Sequence, residues 1–212
     1  MSARPVTAAL TSWGAGAAPA DTPAVVLFLH GYGSNEADLA GLAASLPAGY
    51  AWASLRAPLV LGPGSFSWFR IVTPGDPDAA PVEEATASIL SWIEEALPAS
   101  AVVVPFGFSQ GGLMASQLLR AVPRRVAAAL VLGGFVLGAP QPGDTALEVE
   151  RPPVFSGRGA ADGVIPADAV ARADAWLPSH STLTRRTYPG LGHGISAEEL
   201  ADAVAFLEAL PR

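Results

Sequence analysis

The chain has no cysteine among its 212 residues, so disulfides, thiolate metal sites and cysteine nucleophiles are excluded together. Basic residues are scarce: twelve stand against nineteen acidic ones, for a formal charge of −7, and they form no Lys/Arg cluster of the kind a nucleic-acid binder needs. DNA and RNA are therefore not expected partners. Long apolar runs are missing as well. Half of the residues are hydrophobic, yet runs such as Val126 to Val136 stop short of the roughly 18 residues of a membrane span, so stable membrane insertion is not expected and the hydrophobicity is assigned to a core. The N-terminal stretch VTAALTSWGAGAAPA is interrupted by Thr, Ser and Gly and lacks the continuous apolar centre of a secretory signal; a cytoplasmic protein is expected. The length suits a single domain over residues 1–212.

What is present is a regular alternation. Ala24 to Leu29, AVVLFL, is a continuous apolar run of strand length, as in a strand covered on both faces. A loop with His30-Gly31-Tyr32-Gly33-Ser34-Asn35 follows. A helix comes next, with Leu39, Leu42, Ala43 and Leu46 on one face and Ser34 or Asn35 as its cap. Val6 to Leu10 reads as a short first strand, Ala51 to Leu55 as another, and Ala57 to Pro77 as an irregular segment holding Phe66, Trp68 and Phe69. Pro81 opens a helix striped by Ile89, Ile93 and Leu97, with Glu83 and Glu84 near its positive end and Pro98 closing it. Strands are predicted again near Ala127 to Leu132, Pro153 to Ser156 and Thr182 to Tyr188, with helical spacing over Pro166 to Leu177. Residues 133–151 read as irregular. The last helix begins with a capping box, Ser196 with Glu199, and a hydrophobic staple, Ile195 with Leu200. Strands alternating with helices imply an α/β fold with a mainly parallel central sheet and helices on both faces.

One stretch stands apart. In Ala101 to Leu119, AVVVPFGFSQGGLMASQLL, an apolar strand runs into Gly107-Phe108-Ser109-Gln110-Gly111 and directly into a helix. The bare pattern G-x-S-x-G is weak: sixteen serines and 22 glycines in 212 residues give about 0.17 matches by chance. Between a strand and a helix it reads as the nucleophile elbow of an α/β-hydrolase, with Ser109 on a strained turn. A serine hydroxyl then needs a base and an orienting acid. Three histidines are available. His30 sits at a strand end where it would support a loop, His180 reads as a solvated loop residue, and His193 lies among three glycines just ahead of the last helix. Asp162 follows a strand and precedes His193, giving the order Ser, Asp, His of hydrolase folds; Asp144, Asp168 and Asp174 are the other carboxylates considered. Backbone amides of Gln110 and Tyr32 could form an oxyanion hole, although Gly31-Tyr32-Gly33 also reads as a plain glycine-rich turn.

Taken in order, Leu29-His30-Gly31-Tyr32-Gly33, Gly107-Phe108-Ser109-Gln110-Gly111-Gly112, Asp162-Gly163-Val164-Ile165-Pro166 and Gly190-Leu191-Gly192-His193 resemble the motifs of the phospholipase/carboxylesterase family of small α/β-hydrolases, from about Val25 to Leu210. The resemblance implies Ser109, Asp162 and His193 as the triad, the Tyr32 and Gln110 amides as the oxyanion hole, no cofactor, and a shallow apolar groove with a minimal lid or none. Ser67-Trp68-Phe69 resembles the family's substrate-wall segment, with Arg70 where an acid is common. On this basis Phe66, Trp68 and Phe69 are candidate wall residues, with aromatic packing over a sheet edge as the competing reading. The expected substrate is a small-molecule ester with a small to medium acyl group. A lysophospholipase, an acyl-thioesterase or a small peptidase would use the same machinery, and an inactive binding protein of the same fold is the reading from a different class. Monomer and homodimer are both left open.

Overall fold

A computed structural model describes residues 4–211. Seven strands form one sheet: β1 (Ala9–Thr11), β2 (Ala24–Leu29), β3 (Ala51–Leu55), β6 (Val102–Phe108), β7 (Ala129–Leu132), β8 (Pro153–Gly159) and β9 (Thr182–Tyr188), in spatial order β1-β3-β2-β6-β7-β8-β9. β4 (Leu59–Gly62) and β5 (Ser65–Ser67) make a separate antiparallel hairpin. Only β1 enters the large sheet antiparallel, on β3; the remaining pairings are parallel. The helices are α1 (Ala37–Ala40), α2 (Ala79–Ala96), α3 (Gln110–Ala121), α4 (Asp144–Glu150), α5 (Ala167–His180) and α6 (Ala197–Glu208).

The period of a strand divides the core in two. Val25, Leu27 and Leu29 of β2 face a layer that includes Ile89 and Ile93 of α2, Leu113 and Leu118 of α3, and Ala173 and Leu177 of α5. Val26 and Phe28 face the other way, onto Leu39 of α1 and Ala203 and Leu207 of α6. The continuous apolar run of β2 is thus accounted for by burial on both faces. Because the central strands are parallel, their carboxyl ends open on one edge, the edge at which α/β sheets bind ligands. The loops after β2, β6, β8 and β9 carry Tyr32, Ser109, Asp162 and His193 to it.

The departures from the sequence reading are local. The first strand begins at Ala9 rather than Val6, although Ala8 still accepts a hydrogen bond from Arg56. α1 is a single turn that continues as a 3-10 turn over Gly41–Ser45; Asn35 Oδ1 accepts from the Ala37 amide at its start. α2 starts at Ala79, so Pro81 is third in the helix and Glu83 and Glu84 lie beyond its first turn. Two elements were not expected: the β4–β5 hairpin inside residues 57–77, and α4 inside residues 133–151. α4 is held from a distance. The buried Arg120 of α3 pairs with Asp144 at 2.7 Å and donates to the Leu137 and Ala139 carbonyls. Asp144, considered above as an orienting acid, is spent on that guanidinium. His180 is not a solvated loop residue; it ends α5, buried and stacked on Trp176 with ring centroids 4.0 Å apart. Among the described residues, no helix is long and apolar enough to cross a membrane.

Candidate active site

The elbow is built by steric exclusion. Ser109 has φ 57° and ψ −116°, a backbone conformation that costs a non-glycine residue on the order of 1–3 kcal/mol and persists only where its surroundings enforce it. They do so through glycines. A Cβ on Gly107 would overlap the Gly111 carbonyl, and one on Gly111 would overlap the carbonyl of Leu29 at the end of β2. α3 can therefore begin directly against the sheet, with the Ser109 amide bonded to the Leu132 carbonyl of β7 at 2.9 Å.

The hydroxyl meets an imidazole. Ser109 Oγ lies 2.9 Å from His193 Nε2, and His193 Nδ1 lies 2.8 Å from Asp162 Oδ2. A carboxylate only accepts, so Nδ1–H donates to it and Nε2 is left with a lone pair facing the serine. Burial pushes the Asp162 carboxyl up, but the bonds from His193 and from the Val164 and Ile165 amides outweigh this and hold it below the usual carboxylate range. It is an anion at neutral pH. The other histidines are committed elsewhere. His30 is fully buried, its Nε2 accepts from the Ala57 amide, its Nδ1 faces the Gly31 carbonyl at 2.7 Å, and burial lowers its pKa. This is the loop-supporting role its sequence position suggested.

The loop after His193 ends in α6, where Ser196 Oγ accepts from the Glu199 amide at 3.1 Å. The capping box is only half formed. The Glu199 side chain, expected to reach back to Ser196, turns inward against Gly157 of β8, fully buried, with neither oxygen hydrogen-bonded. Burial raises its pKa to about 7.

Tyr32 and Gln110 line the same cavity as the serine. The loop holding Tyr32 is fixed by bonds from Gly33 to the Phe66 carbonyl and from Phe66 to the Ser34 carbonyl, each 2.8 Å. Gly33 has φ +81°, which its lack of a Cβ permits. The side chain of Gln110 does something the sequence did not reveal. Its Oε1 accepts from the Trp68 amide at 2.9 Å and its Nε2 donates to the Phe69 carbonyl at 2.8 Å. The residue next to Ser109 thus clamps the segment beside it.

A cavity of about 400 Å³ opens at the serine, and Tyr32, Ser109, Gln110 and His193 border it. Of the three aromatic candidates for its wall, only Phe69 lines it. Trp68 is 1 % exposed, packs behind the site and donates its indole N–H to the His30 carbonyl. Phe66 sits under the Arg56 guanidinium, 4.7 Å from its ring centre, and Arg56 in turn pairs with Glu36. The wall consists instead of Ile71, Pro74, Phe135, Val164, Ile165 and Pro166. These residues come from three separate loops; Val164, Ile165 and Pro166 lie in the motif that follows Asp162, whereas Ile71, Pro74 and Phe135 carry no pattern that marks them in the sequence. Arg172 of α5 ties two of those loops together, donating to the Val136 and Gly75 carbonyls.

A mainly parallel sheet, a serine on a strand-to-helix elbow, and a histidine and an aspartate on later loops of the same edge define an α/β-hydrolase. Comparison narrows the class. Residues 17–210 match the model of the phospholipase/carboxylesterase family, and the chain belongs to that family, the serine hydrolases of esters. Acyl-protein thioesterase 1 of Kluyveromyces lactis is 28% identical over 205 residues, covering 86% of this chain and 90% of that protein. The crystal structure of esterase PE8 superposes with a TM-score of 0.70 at 27% identity, covering 96% of this chain and 98% of that one. The Bacillus cereus carboxylesterase shares the fold with a TM-score of 0.76 at 21% identity, covering 94% and 92% of the two chains.

Proposed function

We propose that this chain hydrolyses carboxylic esters of small to medium acyl groups through an acyl-enzyme on Ser109. The observation that carries the reading is the hydrogen-bonded row from Ser109 Oγ through His193 to Asp162, 2.9 and 2.8 Å long. Ser109 Oγ attacks the carbonyl carbon while its proton passes to His193 Nε2; the carbonyl oxygen becomes an oxyanion received by the Tyr32 and Gln110 amides. The bond from acyl carbon to alkoxy oxygen then breaks, and the alkoxy oxygen takes the proton from Nε2 and leaves as the alcohol. A water gives a proton to His193, its oxygen bonds to the acyl carbon, and Ser109 recovers the proton as the carboxylic acid departs. Asp162, an anion throughout, holds the imidazole in the required tautomer. The apolar wall supports an aliphatic or aryl acyl group.

Thioesters and lysophospholipids are open to the same row, since it does not encode the leaving group. A panel of p-nitrophenyl esters of rising chain length, beside a thioester and a lysophospholipid, tests the assignment. An ester optimum at short to medium chains is expected, and a clear preference for the thioester or the lysophospholipid would overturn it. Ser109→Ala abolishes turnover in this reading while the melting temperature stays nearly unchanged, because Ala keeps the Cβ and loses only the hydroxyl bonded to His193. The reading carries a cytoplasmic location, tested by cell fractionation, and either a monomer or a homodimer, tested by sedimentation.

A further inference from the structure

In the proposed reaction the 400 Å³ cavity takes the acyl half of the ester. The other half departs past His193, the group that returns a proton to the leaving oxygen. A second depression of about 270 Å³ lies between α1 and α6, lined on one side by Phe108. Leu39, Leu42, Phe108, Ile195 and Leu200 give it apolar walls. It adjoins the row through two residues: Phe108 immediately precedes Ser109 and lies against the His193 ring with centroids 4.9 Å apart, and Ile195 is two positions beyond His193. The Phe108 ring also faces Gly31 and Gly133, so a single ring both lines the trough and packs beside the His193 imidazole. Its lining includes a single charged side chain, Asp38, an exposed carboxylate that accepts from Ser34 Oγ at 2.7 Å.

We infer that the trough between α1 and α6 seats the alcohol half of the substrate, and that Asp38 makes the enzyme favour alcohols bearing a positive charge over neutral or anionic ones. The inference rests on the ester-hydrolase reading and adds to it a direction for the substrate and a chemical class for the leaving group. Apolar walls with one carboxylate at the rim suit an alkylammonium alcohol, whose methyl or methylene groups lie on Leu42 and Leu200 while its charge faces Asp38. The cost of desolvating an anion beside that carboxylate works against alcohols carrying phosphate or carboxylate. The chain's net charge of −7 acts in the same direction on approach.

The test compares two esters of one acid whose alcohols match in shape and differ in charge, a choline ester and a 3,3-dimethylbutyl ester, at low ionic strength. An exposed ion pair changes kcat/KM by about two- to fivefold. In the wild type the ratio of choline to dimethylbutyl kcat/KM should exceed one, fall by about that factor in Asp38→Asn, and drop below one in Asp38→Lys. Added salt should compress the wild-type ratio more than the Asp38→Asn ratio, which keeps only the attraction of the remaining net charge. Leu42→Trp, which fills the trough, should penalise bulky alcohols while the acyl chain-length optimum stays in place. A ratio unmoved by Asp38→Lys, with ester turnover retained, would overturn the trough assignment alone. Loss of turnover of every ester in the wild type, with Ser109 unlabelled by a fluorophosphonate, would overturn the hydrolase reading beneath it.

Discussion

Glu199 gives the sharpest test of the physical reasoning because its environment sets both a sign and a size. The side chain is fully buried, neither oxygen is hydrogen-bonded, and burial raises its pKa from 4.5 to about 7. The folded form therefore holds its proton over a range in which the unfolded chain has released it. Stability contributed by this group is complete below about pH 4.5 and is lost as pH rises toward 7. Moving the proton equilibrium from 4.5 to about 7 makes the full loss about 3.5 kcal/mol, of which about 2.5 kcal/mol falls between pH 5 and pH 8. Glutamine has the same shape and does not titrate. Urea unfolding of the wild type and Glu199→Gln, followed by tryptophan fluorescence across that range, isolates the term, since Tyr188, Asp202 and Arg186 on the neighbouring elements are common to both proteins. Glu199→Gln should gain on the wild type by about 2.5 kcal/mol from pH 5 to pH 8. Parallel stability curves would refute the argument, because they would mean that Glu199 ionises without penalty and has a polar partner or solvent.

Two further substitutions probe the site. Gln110→Ala removes the acceptor of the Trp68 amide and the donor to the Phe69 carbonyl, both buried. At about 1–3 kcal/mol for each buried group left unpaired, it should lower stability by about 2–6 kcal/mol in chemical unfolding and raise KM for p-nitrophenyl esters as Phe69 loses its anchor. Asp162→Asn should lower kcat by a factor on the order of 10³–10⁴ with little change in KM, because an amide can present its N–H to Nδ1 and so place the proton on Nε2, facing the serine. Steady-state kinetics decide both.

Much of the sheet was legible because its signals are local. β2 falls where its apolar run placed it, since a strand buried on both faces is a continuous hydrophobic word, and β3 and β9 occupy residues 51–55 and 182–188 as read. The elbow was legible for the same reason: strand, Gly-x-Ser-x-Gly and helix are contiguous. What escaped depends on distant partners. α4 exists where Arg120, 24 positions away, reaches Asp144, and nothing within residues 133–151 announces that guanidinium. The wall of the cavity was legible only in part: Phe69 lines it, whereas Trp68 and Phe66 follow the competing reading and serve as supports, and the rest of the lining falls to residues such as Ile71, Val164 and Pro166. The capping box at Ser196 was half right. Its backbone bond forms, but the space left by Gly157 draws the Glu199 side chain inward.

The account depends on Ser109 being the residue that the imidazole activates. Incubating the intact protein with a fluorophosphonate and mapping the adduct by peptide mass spectrometry tests this most directly. The prediction is one adduct per chain, on Ser109, absent in Ser109→Ala and strongly slowed in a variant that replaces His193. An adduct on any other residue, or none on a folded protein that still turns over esters, would contradict it.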